Sequence, residues 1–289
     1  MVGFLRRKPQ GLLPRWALAV LLGLLLAACN RGESILPGKY RGRPFVLYSP
    51  KGLAPESKAP LLYVFHAYAT APHVQAKFFK AFAEAEARGF RVVIPKGRSD
   101  SAEHLFWNAT DACCDWDRTG VDELPYLDEV HKDVLARVAV DESRVYGVGV
   151  SNGAFMARAL ACARPTRFAA LALVAGGASA GACEGSPPTL VVHGDADETV
   201  RFDGGVMGDL APYPSAVSLL GSSQDSVTVE SPEWSVDGRR VSVLRRGSSS
   251  QVWRVHGGGH GLKLGDDGRR RLFEFLLAQA RAPEHSKVP

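Results

Sequence analysis

Residues 144–153 read Arg-Val-Tyr-Gly-Val-Gly-Val-Ser-Asn-Gly, an apolar, β-branched run that ends in the pattern G-x-S-x-G. The run predicts a buried strand, and the Ala, Met and Leu content of residues 152–163 predicts a helix directly after it. A serine between a strand and a helix lies in a strained turn that exposes its Oγ atom, and Gly149 and Gly153 leave room for the neighbouring backbone. We therefore predict that Ser151 is a nucleophile.

The same pattern recurs at Gly177-Ala-Ser-Ala-Gly181. Ser179 also follows an apolar run, but residues 181–188 that come next cannot open a helix of useful length. This copy therefore lacks the required context, and we interpret Ser179 as a loop residue. At the first copy, the backbone N–H of Asn152 starts the helix and is expected to bind an oxyanion.

Short apolar runs alternate with segments of helical period along the chain, which is typical of an α/β fold with a mainly parallel sheet flanked by helices. One helical face is predicted around residues 78–85, another around 127–138, and a last helix over 269–280. Residues 201–250, rich in Gly, Ser and Pro, are predicted to cross over the sheet as a substrate-binding flap with one strand at 241–244. The other predicted strands are residues 45–48, 61–65, 90–94, 145–150, 168–174, 190–193 and 252–255.

A serine hydroxyl needs a base to take its proton and a carboxylate to orient that base. In the α/β-hydrolase order, the acid and then the histidine follow the serine along the chain. We choose Asp197 over Asp195 as the acid, because Asp195 lies nearer the end of its strand and suits a turn cap. His260, surrounded by glycines on a loop, is the predicted base, with His256 as the alternative.

Six segments carry a family resemblance: Phe106-Trp-Asn-Ala109, Cys113-Cys114, residues 144–153, His193-Gly-Asp-Ala-Asp197, Asp203-Gly-Gly205 and Gly257-Gly-Gly-His260. Together they resemble the polyhydroxybutyrate depolymerase and feruloyl-esterase-like family of secreted esterases, over about residues 43–275. The resemblance implies an α/β-hydrolase fold, no cofactor, and ester substrates such as hydroxyalkanoate oligomers or acyl groups on plant polysaccharides. It also supports Ser151, Asp197 and His260 as a catalytic triad.

One segment departs from the family pattern. Where the family has His-Gly followed by further glycines, this chain has His66-Ala67-Tyr68-Ala69. This loop is expected to supply the second oxyanion donor, from the N–H of Ala67 or Tyr68, and alanine keeps its N–H, so a modified oxyanion hole is predicted. Trp107 is a candidate for lining the acyl pocket, and packing against the sheet is its alternative role.

The N-terminus has the form of a targeting segment. The basic residues Arg6, Arg7 and Lys8 precede an apolar run that is too short to span a bilayer. The run ends in Leu-Ala-Ala-Cys29, which resembles the lipobox of bacterial lipoproteins, and Asn30 resembles the pattern sent to the outer membrane. We predict a lipoprotein signal peptide over 1–28, lipidation of Cys29, a tether over 29–43, a catalytic domain over 44–281 and a tail over 282–289. A plain secretory peptide is the alternative.

The charge balance gives no reason to expect a nucleic-acid partner. The formal net charge of the chain is +5, and removal of the leader takes away four cations and no acid, which leaves +1. The expected partners are an ester substrate, polymeric esters included, and a membrane reached through the lipid anchor.

Export places four cysteines, Cys113, Cys114, Cys162 and Cys183, in an oxidising compartment. Three pairings are open to them, and the sequence does not choose. They have no C-x-x-C spacing, so no metal site is expected, and His193 with Asp195 is interpreted as a turn beside the acid.

Two other functions stay open at this point. A peptidase of the prolyl-oligopeptidase kind uses the same fold, but such enzymes carry a propeller or long cap that the residues before Phe45 do not provide. A surface lipoprotein that binds without catalysis is the other alternative, and lost triad residues would be its sign. None is lost here, so a serine esterase is the leading hypothesis.

Overall fold

A computed structural model describes residues 35–40, 42–178, 183, 185–221, 227–246 and 249–282. The predicted signal peptide, Cys29 and Ser179 lie outside the described residues, as does all of the predicted tail except its first residue. Among the residues that are described, no helix is both long and apolar enough to cross a membrane.

A single large sheet forms the centre of the fold, in the spatial order β1-β2-β4-β3-β7-β8-β9-β13-β12-β10 with β11 beside β12. The six strands from β4 to β13 are mutually parallel, and the strands at both edges are antiparallel. A separate short hairpin joins β5 and β6. The strands are β1 (Ile35–Tyr40), β2 (Arg43–Tyr48), β3 (Ala59–Phe65), β4 (Arg91–Pro95), β5 (Arg98–Ser99), β6 (Leu105–Phe106), β7 (Val140–Val150), β8 (Ala170–Val174), β9 (Thr189–Gly194), β10 (Thr228–Glu230), β11 (Ser235–Val236), β12 (Arg239–Arg246) and β13 (Ser250–Val255).

Helices cover both faces of the sheet. They are α1 (Pro72–Phe78), α2 (Ala81–Arg88), α3 (Leu124–Arg137), α4 (Asn152–Ala163) and α5 (Gly265–Leu277), with a short 3₁₀ helix at Ala216–Leu220. Alternate residues of β3 enter different layers: Leu62 and Val64 pack with α1, α2 and α5, whereas Leu61 and Tyr63 pack with α3 and α4. Strands buried on both faces have near-continuous apolar sequences, and this is why the parallel strands were visible in the sequence.

The seven strands expected on either side of Ser151 are all present, with ends that differ by a few residues. Two helix predictions need correction. The face predicted around 78–85 spans two helices, because Lys80 adopts a left-handed backbone (φ 48°) between α1 and α2. The last helix covers Gly265–Leu277 and so begins before residue 269 and ends before 280.

The predicted tether at 29–43 is wrong for its second half. Residues Ile35–Tyr40 form β1, which pairs antiparallel with β2. Pro37 and Gly38 hide this strand in the sequence, but an edge strand tolerates proline. Gly38 is required by a close approach, since a Cβ atom there would overlap the ring of Phe45.

The flap predicted at 201–250 is also wrong for its second half. Strand β12 pairs with β13 on one side and β10 on the other, so residues 228–246 extend the sheet. Only the first half, with a bridge between Gly205 and Tyr213 and the 3₁₀ helix, lies off the sheet. The strand predicted at 241–244 is confirmed as the middle of β12.

The two disulfides follow one of the three pairings that the sequence left open. Cys162, on α4, is bonded to Cys183, and Cys113 is bonded to its neighbour Cys114. Both disulfides fit the export that the leader predicts.

Candidate active site

Ser151 occupies the turn between β7 and α4 with a backbone that few residues adopt, φ 51° and ψ −121°. The flanking glycines explain how the turn fits. A Cβ atom at Gly149 would overlap the backbone of Gly153, and one at Gly153 would overlap the carbonyl of Phe65 at the end of β3. Strain of this kind persists where the surrounding structure fixes it, and it is concentrated at functional sites.

Three predicted residues come together at the carboxyl ends of the strands. Asp197 follows β9, His260 follows β13, and Ser151 follows β7. His260 Nε2 lies 3.0 Å from Ser151 Oγ, and His260 Nδ1 lies 2.8 Å from Asp197 Oδ2. These are the contacts that a Ser-His-Asp arrangement requires, and neither Asp195 nor His256 makes them.

The surroundings of Asp197 favour an ionised carboxylate. Its side chain is fully buried, and Oδ1 accepts the N–H groups of Thr199 and Val200, both at 2.9 Å. Oδ2 lies 3.4 Å from His193 Nε2. Burial acts to raise the pKa of Asp197, but the hydrogen bonds from His193 and His260, the charge on His260 and the N–H of Val200 outweigh it and hold this pKa well below its usual range.

His193 therefore supports the acid, a role that the sequence did not suggest. Its Nε2 also lies 2.7 Å from the carbonyl oxygen of Val200, so this nitrogen carries the proton. The two groups that it contacts belong to the same tight turn after β9. A buried histidine at the end of a strand, four residues before the acid, is the signal that was available.

Two of the backbone N–H groups predicted to bind an oxyanion have no acceptor among the described residues. The N–H of Asn152 begins α4, where helical geometry offers no acceptor, and it has no partner among the described residues. In the 66–69 loop, the N–H of Ala67 donates to Gln75 Oε1 at 3.1 Å, whereas that of Tyr68 has no acceptor in the described part of the chain. Of the two donors predicted from this loop, the geometry favours Tyr68.

The 66–69 loop is held by groups that the sequence did not single out. His66 Nδ1 donates to the carbonyl of Ala67 at 2.9 Å, and His66 Nε2 accepts the N–H of Gly97 at 2.8 Å. Burial lowers the pKa of His66 to about 4, so the imidazole is neutral near pH 7 and keeps one donor and one acceptor. Gln75, buried on α1, completes the set.

Trp107 does not line an acyl pocket, which corrects the prediction. Its side chain is completely buried, and the indole Nε1 donates to the carbonyl of His66 at 3.1 Å. Its backbone N–H donates to Asn152 Oδ1 at 2.7 Å, and its carbonyl accepts Asn152 Nδ2 at 2.8 Å. Trp107 therefore ties the 66–69 loop to the residue after the nucleophile.

An apolar cluster borders the site. The Cys113-Cys114 pair belongs to the cluster and contacts Asn152 Nδ2 through Cys113 Sγ. Phe155, also a member, lies in the first turn of α4. Val200 follows the acid, and the side chain of Tyr68 packs against the cluster. Its remaining members, Ala112, Met207 and Tyr213, include residues of the half of 201–250 that stays off the sheet.

The open clefts lie beside this site rather than in it. The larger, of 330 Å³, is lined by polar side chains such as Asn108, Thr110 and Asp115, with Asp209 on the opposite wall. A second cleft of 290 Å³ shares Asn108 and Thr110 with it. Neither of these two clefts is lined by Ser151, His260 or Asp197.

The mainly parallel sheet and the strained serine turn between β7 and α4 define the α/β-hydrolase fold. The structure is similar to that of an acetyl xylan esterase from Aspergillus awamori, with a TM-score of 0.61 and 15% sequence identity over 84% of this chain and 100% of that one. This likeness establishes the fold.

Residues 43–228 match the family model described as esterase PHB depolymerase, and the chain belongs to that family. Feruloyl esterase C of Emericella nidulans is 28% identical over 213 residues, which is 65% of this chain and 73% of that protein. A probable feruloyl esterase C of Aspergillus flavus is 35% identical over 94 residues, so the alignment spans 32% of this chain and 34% of that relative's length. The family and these relatives support a carboxylic ester hydrolase with a serine nucleophile.

Proposed function

We propose that this protein hydrolyses carboxylic esters with Ser151 as nucleophile, His260 as general base and Asp197 as the group that orients His260. The observation that carries the proposal is the continuous chain of contacts from Asp197 through His260 to Ser151, at 2.8 and 3.0 Å, ending on a strained serine. An ionised Asp197 holds His260 with Nδ1 protonated, which leaves Nε2 free to accept the serine proton.

The reaction follows from these positions. Ser151 Oγ attacks the ester carbonyl carbon as its proton passes to His260 Nε2, and the oxyanion accepts the N–H groups of Asn152 and Tyr68. The C–O bond to the alcohol then breaks, and the leaving oxygen takes the proton from His260. A water molecule, deprotonated by His260, then attacks the acyl carbon; the bond to Ser151 Oγ breaks, Oγ takes the proton back from His260, and the acid is released. Each oxyanion donor contributes about 10²- to 10³-fold to turnover.

The substrates we favour are acyl esters on polysaccharides. The relatives are named as esterases acting on feruloyl or acetyl xylan substrates, and the polar clefts beside the site offer carboxylates, amides and hydroxyls to sugar hydroxyl groups. Hydroxyalkanoate oligomers are the second candidate, because the family model is described by that activity and the apolar cluster borders the nucleophile.

The location we propose is the cell envelope, through a lipid on Cys29 and with the outer membrane as the destination. The sequence of the leader and the two disulfides support export. Metabolic labelling with an alkyne fatty acid tests the anchor. Label on the parent and none on a Cys29→Ser variant is expected, and an unlabelled parent contradicts it.

The catalytic assignment is tested with a fluorophosphonate probe and a panel of substrates. The parent chain and Ser151→Ala are compared on p-nitrophenyl butyrate, feruloyl sugars, acetylated xylan, hydroxybutyrate oligomers and a peptide. Ser179→Ala is the matched control, since it removes the serine of the second G-x-S-x-G pattern. We expect Ser151→Ala alone to lose labelling and ester hydrolysis. An unlabelled parent favours a binding protein, and faster peptide cleavage favours a peptidase.

A further inference from the structure

A second aspartate–histidine pair joins the same two loops as Asp197 and His260. His256 Nδ1 lies 3.1 Å from Asp195 Oδ2, and His256 Nε2 lies 2.8 Å from Ser242 Oγ. Asp195 stands two residues before Asp197, and His256 stands four before His260. The mechanism proposed above uses none of these three side chains.

Ser242 is not a second nucleophile. It lies within β12, opposite Arg254 of β13, and the residue is only 7% exposed. A strand uses its backbone N–H groups in the ladder, so no pair of free donors faces Ser242 Oγ as it does at Ser151. The contacts among Asp195, His256 and Ser242 must therefore have a structural role.

The contacts of Asp195 all lead to the segment that carries His260. Its Oδ1 accepts the N–H of Gly257 at 2.7 Å, and its Oδ2 accepts Arg254 Nε at 2.9 Å as well as the contact from His256. Its own N–H donates to the carbonyl of Val255 at 3.1 Å. A single carboxylate thus contacts Arg254 near the end of β13 and the first two residues of the loop beyond it.

The backbones of the two loops also meet closely. The N–H of Ala196 donates to the carbonyl of Gly258 at 3.0 Å, and a Cβ atom at Gly194 would overlap Gly258. Asp195 and Ala196 therefore hold Gly257 and Gly258, and the chain reaches His260 only two residues later.

The His260 loop needs such a support. Residues 257–259 are all glycine, which gives the loop the largest conformational entropy to lose, and the surroundings of Gly257 and Gly261 are open. The His260 side chain is 29% exposed and makes side-chain hydrogen bonds only to Ser151 and Asp197 in the described residues. A displacement of about 1 Å at a catalytic group costs about 10²-fold in rate.

We propose that Asp195 and His256 form a positioning clasp that holds the His260 loop in register with Asp197. The clasp deepens the function proposed above and rests on it. Asp195 is its centre, because it receives a backbone N–H, a guanidinium and an imidazole from one segment, while His256 extends the link to Ser242 on β12.

The test compares Asp195→Asn and Asp195→Ala with a matched control in the full chain. Asp141, at the amino end of β7, also makes three contacts, with a hydroxyl in place of the imidazole: one backbone N–H (Ser143, 3.1 Å), one hydroxyl (Ser143, 2.6 Å) and one arginine Nε (Arg144, 2.6 Å). On p-nitrophenyl butyrate we expect kcat to fall about 10-fold in Asp195→Asn and up to about 100-fold in Asp195→Ala, with KM within about twofold and with Asp141→Asn equal to the parent. The milder effect is expected in the isosteric variant, which keeps an acceptor for Gly257.

A spectroscopic readout separates positioning from folding and from the proposed chemistry. The low-field proton resonance of the His260–Asp197 hydrogen bond is followed in the parent and the variants by NMR. We expect it to broaden or vanish in Asp195→Ala and to persist in Asp141→Asn. An unchanged resonance with kcat within about twofold of the parent overturns the clasp, as does an equal loss in both variants. If the parent neither hydrolyses esters nor reacts with a fluorophosphonate, the proposed function fails, and the resonance alone decides whether the clasp exists.

Discussion

Two aspartate–histidine pairs span the loops after β9 and β13, yet they end on serines in different settings. The Asp197–His260 pair meets Ser151 in a strained turn with free N–H groups beside it. The Asp195–His256 pair meets Ser242 in the middle of a strand. The same three side-chain types thus have different uses, because the backbone around the serine decides whether a tetrahedral oxyanion has donors.

The largest difference is expected when the two serines are replaced. Ser151→Ala should lower kcat on p-nitrophenyl butyrate by about 10⁴- to 10⁶-fold, because the nucleophile is gone. Ser242→Ala should lower kcat by no more than about fivefold, the effect of losing one hydrogen bond at the edge of the clasp. Steady-state kinetics on both variants measures this contrast. A fall in kcat of similar size in the two variants would contradict the different roles given to the two serines.

The two aspartates are expected to differ less, but still widely. Asp197→Asn keeps the shape of the side chain and removes the charge that orients His260, so we expect a loss of about 10⁴-fold in kcat. Asp195→Asn should lose about 10-fold. Both rates are best measured after titration of active sites with a fluorophosphonate. Equal losses would make the two pairs equivalent and contradict the roles given to them.

Acidification should weaken the fold through both carboxylates. For Asp195, burial raises the pKa, but the N–H of Gly257 and the guanidinium of Arg254 outweigh it, so the pKa lies below its usual value, as that of Asp197 does. A carboxyl whose pKa is depressed by folding stabilises the protein above its unfolded pKa of about 3.9, and the contribution is lost as pH falls through the folded pKa.

Urea unfolding between pH 6 and pH 3 measures this effect. The parent should lose free energy of unfolding as the pH falls below about 4, by on the order of 1 kcal/mol or less for each of the two carboxyls by pH 3. The slope against pH should be shallower in Asp197→Asn than in Asp195→Asn, because Asp197 is the more strongly perturbed. An identical slope in the parent and in both variants would contradict it.

The smallest effect is expected from Arg254→Gln. The Arg254 side chain is 44% exposed, and exposed ion pairs contribute about 0 to 1 kcal/mol. Asp195 keeps its contacts with Gly257 and His256, so kcat should change by about twofold or less. Added salt should likewise change kcat of the parent by about twofold or less. A loss as large as that of Asp195→Ala would move the centre of the clasp to Arg254.

The sequence predicted the parts of the site that have local signals. Ser151, its strand and its helix follow from neighbouring residues, and Asp197 and His260 follow from chain order and their loops. The roles of the second pair and of Gln75 were not predicted, because they depend on contacts between different elements of the fold. His193 lies only four residues before Asp197, but the sequence does not show that its ring points at the acid. Nor was β1 predicted, because its edge position made its sequence look like that of a loop, whereas the middle of β12 was predicted as a strand.

The entry of the chain into the sheet has a consequence for where the enzyme works. β1 runs parallel to β7, so Ile35 lies toward the amino ends of the parallel strands, whereas Ser151 follows their carboxyl ends. From Cys29 to Ile35 a fully extended chain spans at most about 20 Å. A lipid on Cys29, as proposed above, would therefore keep the amino ends of the parallel strands within a short chain length of the bilayer, whereas Ser151 follows the opposite, carboxyl ends.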